Sequence, residues 1–148
     1  MLIDAQEQFS NAQALTATVA STNVVDLGVD GDVGFGIGEP MDIVIQLDVA
    51  ADDTTGNETY TAALQTDDDS AFGSAVQIGG TVTIAAGDVA GTRYFIPIPA
   101  AKEMGRYVRV YYTLGGTTPT VTVTSYLMPR RFVQNDQYYP NASVIDVS

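Results

Sequence analysis

Alternation of apolar and polar residues is the feature that most limits what this chain can fold into. Successive side chains of a β-strand point to opposite faces, so a period of two predicts a strand with one face in a hydrophobic core. In the clearest case the apolar positions are Met41, Ile43, Ile45, Leu47 and Val49. Between these positions lie Asp42 and Asp48, which we expect on a solvated outer face.

The same alternation recurs along the chain between turn-forming residues. Clusters of Gly and Asx residues separate the alternating segments and are typical of tight turns. Pro97 and Pro99 cannot donate to a ladder, so their strand should lie or end at a sheet edge. Only 4–13 and 99–105 could hold a helical turn. The predicted strands are 15–20, 24–27, 41–49, 60–66, 76–85, 93–99, 106–114 and 120–128.

This pattern predicts the fold class and the organisation of the chain. Because about eight short strands are joined by regular turns, we expect an all-β chain with one antiparallel β-sandwich or jelly roll. A chain of 148 residues is the size of one domain with a substantial core. We assign residues 1–128 to the sandwich and 129–148 to an extended C-terminal arm.

Charge is distributed unevenly along the sequence. Residues 1–92 contain 15 acidic and no basic residues, whereas 93–148 contain 6 basic and 3 acidic residues. Net charges of −15 and +3 account for the −12 of the whole chain. Nucleic-acid binding needs clustered Lys and Arg, so we expect no nucleic-acid partner. A partner that presents basic groups or accepts carboxylates is favoured.

No membrane association or secretion is predicted. The longest apolar runs fall far short of the roughly 20 residues of a membrane span. The N-terminus has neither a basic segment nor an apolar segment of a signal peptide. We therefore expect a protein that is made in the cytoplasm and stays or assembles there.

The residue types available argue against an enzyme. Cys and His are both absent, which excludes disulfides, Cys nucleophiles, Ser-His pairs and the usual transition-metal ligands. Asp42 and Asp48 could suggest paired catalytic acids. Six residues of extended strand separate them by about 20 Å, beyond the roughly 5–10 Å that glycoside chemistry requires. We expect no catalytic activity and no cofactor.

Three motifs suggest ligands, but none meets the requirements of the chemistry. Asp26, Asp30 and Asp32 do not have the spacing of an EF-hand, which also needs a Glu at position twelve. The acidic run 67–69 is better interpreted as Asx residues that start a turn. The glycines of 31–38 do not match a nucleotide-binding G-x-G-x-x-G sequence. We expect no dedicated metal site.

Two segments do not follow the strand pattern and are candidates for contacts. The glycine-rich loop 28–40 contains five glycines and carries Phe35 and Ile37, which have no periodic reason to be buried locally. Long loops of this kind are commonly functional, so both residues are predicted interface residues. The arm contains Phe132, Tyr138 and Tyr139. These aromatics suit either docking on another surface or packing on the chain's own sandwich.

Four arginines lie within 26 residues: Arg106, Arg109, Arg130 and Arg131. Arginine pairs bidentately with carboxylates and is enriched at protein interfaces. One copy's basic edge could therefore meet the acidic face of another copy. The alternative is intramolecular pairing with the chain's own acids.

Several segments also resemble a known family. They are IDAQ at 3–6, FSNAQALTAT at 9–18, STNVVDLG at 21–28, LQTDDDSAF at 64–72 and RYVRVYY at 106–112. Together they are similar to a family of tailed-phage capsid cement, or decoration, proteins, over residues 3 to about 125. The arm lies outside this resemblance.

The resemblance implies a jelly roll on the outside of an assembled icosahedral shell. Such proteins form small symmetric oligomers and clamp neighbouring copies of the major capsid protein; no catalytic residues are implied. We expect a homodimer, with a homotrimer as second choice, located on the virion exterior. The alternative is a carbohydrate- or receptor-binding jelly-roll module of a virion fibre. Its stacking platform would be Tyr107, Tyr111 and Tyr112.

Overall fold

The computed structural model describes residues 7–28, 40–99 and 104–130. The nine elements in these ranges are all β-strands. They are β1 (Gln8–Leu15), β2 (Val19–Ala20), β3 (Val25–Asp26), β4 (Met41–Val49), β5 (Thr59–Asp67), β6 (Val76–Ile84), β7 (Arg93–Pro97), β8 (Tyr107–Gly115) and β9 (Val121–Pro129).

The strands form two antiparallel sheets. One has the order β1-β9-β4-β7, and the other has the order β2-β8-β5-β6 with β3 also paired to β8. If β2 and β3 count as one interrupted strand, each sheet has four strands and the chain crosses repeatedly between them. This is jelly-roll connectivity. The predicted all-β antiparallel sandwich is confirmed, and β7 lies at a sheet edge as its prolines require.

Alternate residues of facing strands fill the space between the sheets. Ile43, Ile45, Leu47 and Val110 are completely buried there. Each apolar side chain of this size contributes about 1.5–3 kcal/mol when it is removed from water. The alternation in the sequence therefore identifies the inner face of β4 correctly from Ile43 to Leu47, whereas Val49, predicted on the same face, is 56 % exposed after a register shift.

Three hydroxyl groups form a hydrogen-bonded cluster within this core. The Tyr112 hydroxyl hydrogen-bonds to Ser10 Oγ at 2.9 Å and to Ser125 Oγ at 2.7 Å. Burial raises the pKa of Tyr112 to about 12, so the phenol stays neutral. Because Ser10 lies on β1, Tyr112 on β8 and Ser125 on β9, these bonds connect the two sheets.

The helical turn predicted for 4–13 is wrong for its described part, as is the single strand predicted for 15–20. Residues 8–15 form β1, and a separate short β2 follows. The ladder between β1 and β9 contains two register shifts, and Ala12 adopts φ 47°. Phe9 and Ser10 are consecutive and both buried. These irregularities remove the period of two that would identify the strand. Most of the second predicted turn, 99–105, lies outside the described residues.

The prediction that Asp42 faces solvent is also wrong. Its exposed fraction is 5 %, whereas Asp48 is partly exposed on the same strand. Four consecutive residues of β4, Asp42 to Ile45, are buried. Both faces of this part of the sheet are therefore covered, and alternation alone cannot predict that.

Candidate interaction surfaces

The outer face of the β2-β8-β5-β6 sheet carries a row of aromatic and basic side chains. Along β8, Val108, Val110 and Tyr112 point into the core and are buried. The intervening residues point outward and are partly exposed. These are Tyr107, Arg109 and Tyr111.

Arg109, the cation of this row, contacts two aromatic rings and one amide side chain. Its guanidinium carbon lies 4.1 Å from the ring centroid of Phe72 and 5.4 Å from that of Tyr111. Its Nε donates to Gln65 Oε1 at 2.9 Å. Planar guanidinium groups stack favourably on aromatic faces. Arg109 is thus held in place by two rings and a neutral amide, and the Asp67 carboxylate is close enough to interact with its charge. We name Arg109, Phe72, Tyr111, Gln65 and Tyr107 the arginine–aromatic face.

The acidic run 67–69 builds the loop that presents Phe72. Asp67 Oδ1 accepts from the Asp69 amide at 3.0 Å, and Oδ2 accepts from the Ser74 amide at 2.7 Å. Asp69 Oδ1 accepts from the Ala71 amide at 3.0 Å. These are Asx turns, as predicted from the sequence. Among the described residues, no group of acids is arranged to hold a metal ion.

Low pH should destabilise this loop, because it protonates the Asp67 carboxylate. Hydrogen bonds from the Asp69 and Ser74 amides hold the pKa of Asp67 below its usual value of 3.8. A lowered folded-state pKa adds stability that is present above the unfolded-state pKa and is lost as the pH falls through the folded-state value. We expect Asp67→Asn to lower the melting temperature at pH 7 and to have a smaller effect below pH 3.8.

Thermal melts across this pH range test the expectation, with Asp53→Asn, outside the loop, as a charge-matched control. An Asp67→Asn effect that stays constant from neutral pH down to strongly acidic pH would contradict the role of the ionised carboxylate.

Arg106 lies at the end of the same face and forms an ion pair within the chain. Its Nε and Nη2 atoms donate to the two carboxylate oxygens of Asp26 at 2.8 and 2.9 Å. The guanidinium also lies 5.1 Å from the Tyr107 ring centroid. The Arg106 hydrogen bond lowers the pKa of Asp26, and the Gly28 amide adds to this. The pair connects β3 to the start of β8. For Arg106 the structure therefore shows pairing with an acid of the same chain, which was the alternative to contact with the acidic face of another copy.

Arg130 lies on the opposite sheet. Its Nε donates to Asp42 Oδ1 at 2.9 Å, and its amide donates to the Pro40 carbonyl at 2.8 Å. The Asp42 side chain is 6 % exposed and the Arg130 side chain 35 %. The structure therefore places Arg106 and Arg109 on the β2-β8-β5-β6 sheet and Arg130 on the β1-β9-β4-β7 sheet.

A small apolar cluster adjoins Arg130 on the outer face of the β1-β9-β4-β7 sheet. Val44, Tyr126 and Met128 form it, with Phe95 packed against them. We name these four residues the outer-face cluster. The sequence pattern does not predict this cluster, because Val44 and Tyr126 occupy positions that alternation assigns to solvent. Phe72 and Gln65 were missed as well, since their contact with Arg109 depends on strand register.

The remaining predicted interface residues lie outside the described residues. They are Phe35, Ile37, Arg131, Phe132, Tyr138 and Tyr139. The predicted tyrosine platform does not form as a unit, because Tyr112 is buried in the core. Tyr107 and Tyr111 each have a guanidinium against the ring.

Within the described residues, no helix is long and apolar enough to cross a membrane.

Comparison with known proteins places the chain in a family. A search of curated proteins found no match. A model of the Bbp16 family matches residues 9–126, which includes seven of the nine strands in full and most of β1 and β9. The chain belongs to the Bbp16 family.

Proposed function

We propose that this chain is a structural cement protein that binds the outer surface of an assembled phage head and clamps neighbouring major capsid proteins. The observation that carries the proposal is the arginine–aromatic face. Arg and the large aromatics are the residue types that dominate binding energy at protein interfaces. The proposal agrees with the resemblance of the sequence to phage decoration proteins.

The surroundings of Arg109 favour a protein partner. In the strand register, Arg109 lies opposite Gln65, and Gln65 lies opposite Gln77. The next outward row runs from Tyr111 through Ala63 to Thr81. These neighbours are small or neutral, so burying these two rows requires the desolvation of few charges; the adjacent row contains Asp67, opposite Tyr107. A flat partner surface that offers a carboxylate or carbonyl oxygen to Arg109 would suit it.

The acids described in the structure favour binding over catalysis. Asp26, Glu58 and Asp67 all have a lowered pKa, and in each case hydrogen bonds from nearby groups are the main cause. A general acid that works near neutral pH needs a raised pKa instead. These carboxylates stabilise turns and strand contacts.

Under this proposal the protein is made in the host cytoplasm and ends on the capsid exterior. A ligand that binds only the assembled shell stabilises that shell by mass action. The clamp therefore needs no chemistry, only a contact surface shared between neighbouring capsid subunits.

Co-sedimentation tests the proposal. We expect the protein to pellet with assembled shells and to remain in solution with unassembled major capsid protein. Equal binding to both forms, or to neither, would contradict a cement function. Retention on immobilised glycans without shells would instead support the carbohydrate-binding alternative.

We also expect a homodimer, since closed two-fold oligomers are the commonest assemblies. On the β5–β6 side of the β2-β8-β5-β6 sheet, away from Arg109, Gln77 and Thr81 are exposed and offer a contact area with few charges. Sedimentation equilibrium should give twice the chain mass of 15.6 kDa. Three times that mass would favour the homotrimer, and a purely monomeric solution at micromolar concentration would exclude both.

A further inference from the structure

Phe72 has a backbone conformation that is unusual for its residue type. Its φ is 54°, in the left-handed region that favours glycine. Gly73, the next residue, does not have a positive φ. The chain therefore places a bulky aromatic side chain, and not the adjacent glycine, where glycine fits best. Strained backbone of this kind persists only where the surrounding structure fixes it, and it is concentrated at functional sites.

The loop around Phe72 fixes the strained position. The Phe72 amide donates to the Asp69 carbonyl at 3.0 Å. The side chains of Asp67 and Asp69 accept from backbone amides on both sides of Phe72, those of Ala71 and Ser74 among them. These bonds span residues 67–74, so the loop determines where the Phe72 ring lies.

Core packing does not account for the burial of this ring. Phe72 is 7 % exposed, but it belongs neither to the inner core nor to the outer-face cluster. Its ring centroid lies 4.1 Å from the Arg109 guanidinium carbon, which is closer than the Tyr111 ring at 5.4 Å. The Phe72 ring and the Arg109 guanidinium therefore cover each other.

We infer that Phe72 is a positioning residue, which fixes the orientation of the Arg109 guanidinium on the arginine–aromatic face. A guanidinium has five N–H donors in a rigid fork. Within the described residues, the Arg109 atom that forms a hydrogen bond is Nε, to Gln65. The two terminal nitrogens are then the pair that would bond to a carboxylate of a partner. Stacking on Phe72 restricts rotation of the guanidinium plane, so this pair is oriented before the partner binds.

This inference rests on the proposed function, and a double-mutant cycle on binding to assembled shells tests it. Phe72→Leu keeps an apolar side chain but removes the aromatic face, and it should weaken binding about fivefold, the effect of one cation–π contact. Phe72→Tyr keeps the ring and should bind like the natural chain. In an Arg109→Ala background, Phe72→Leu should have no further effect, because a positioning residue acts through the side chain that it positions.

An equal loss of binding from Phe72→Leu with and without Arg109 would overturn the inference, and so would unchanged binding in the natural background. If circular dichroism finds Phe72→Leu unfolded, Phe72→Gly takes its place in every measurement. Glycine suits the positive φ of this position, and it also removes the ring.

The order of Arg109 in the free protein distinguishes this inference from the proposed function. Nitrogen-15 relaxation of the five arginine Nε–H groups is measured by NMR, and the Arg109 signal is assigned by its loss in Arg109→Ala. We expect this group to be rigid on the ps–ns timescale in the natural chain and in Phe72→Tyr, and mobile in Phe72→Leu. Phe95→Leu, at a partly buried phenylalanine of the other sheet, is the control and should leave the Arg109 signal unchanged. Equal order in the natural chain and in Phe72→Leu overturns the inference, whatever the shells show. A natural chain with a rigid Arg109 that does not bind shells would contradict the proposed function alone.

Discussion

Replacing Arg130 with alanine should lower the free energy of unfolding by about 2–3 kcal/mol, because Asp42 would remain buried without its cation. The expected loss lies below the range for fully buried pairs, since the Arg130 side chain is 35 % exposed. Urea denaturation measures this as a lower midpoint with an unchanged slope.

Arg106→Ala is the matched control. Both side chains of the Arg106–Asp26 pair are more than 40 % exposed, and solvent-exposed pairs contribute little to stability. If Arg130→Ala destabilised the protein no more than Arg106→Ala, the Asp42 pair would not be a buried one. Adding Asp42→Ala to Arg130→Ala should recover part of the loss, because no buried charge is then left unpaired.

Arg109→Ala should weaken binding to assembled shells about 30-fold, which is the effect of losing a hot-spot residue worth 2 kcal/mol. The reason is that Arg109 presents its charge from a fixed position between Phe72 and Tyr111. Arg93→Ala serves as the control, since Arg93 is exposed on β7 of the other sheet. The Arg93→Ala variant should bind assembled shells as tightly as the natural chain does. Affinities from co-sedimentation titrations measure both variants.

Arg109→Lys separates the charge from the planar group. Lysine keeps the charge but cannot stack or bond as a fork. Recovery of most of the affinity would assign the contribution to charge, and a loss as large as with alanine would assign it to the guanidinium plane. Unchanged binding with Arg109→Ala, in a variant that melts like the natural chain, would contradict the proposed role of this face.

The contacts of Arg130 also determine where the arm should be removed. The sequence pattern places the start of the arm at residue 129, which predicts that a deletion of 130–148 leaves the sandwich intact. In the structure β9 extends to Pro129, and Arg130 neutralises a buried carboxylate. A deletion that includes Arg130 therefore removes both the arm and the cation that pairs with Asp42. A chain that ends at Arg130 tests the arm alone.

The sequence by itself determined the class of fold and the inner-core residues of regularly alternating strands. A period of two depends only on the alternating geometry of a strand, so it can be read in β4 or β8 without knowledge of their neighbours. Turn residues act just as locally, because Asx side chains bond to amides two residues away. Asp67 illustrates this in the loop that follows β5.

Only the tertiary structure decided what lies on the outer faces. Gln65 and Arg109 meet because of the register between β5 and β8, and Phe72 reaches the same guanidinium through the loop after β5. Asp42 is buried beside Arg130, 88 residues further along the chain. Alternation states that two faces differ, but which of them is covered depends on contacts between residues distant in sequence. A local pattern carries no information about such contacts.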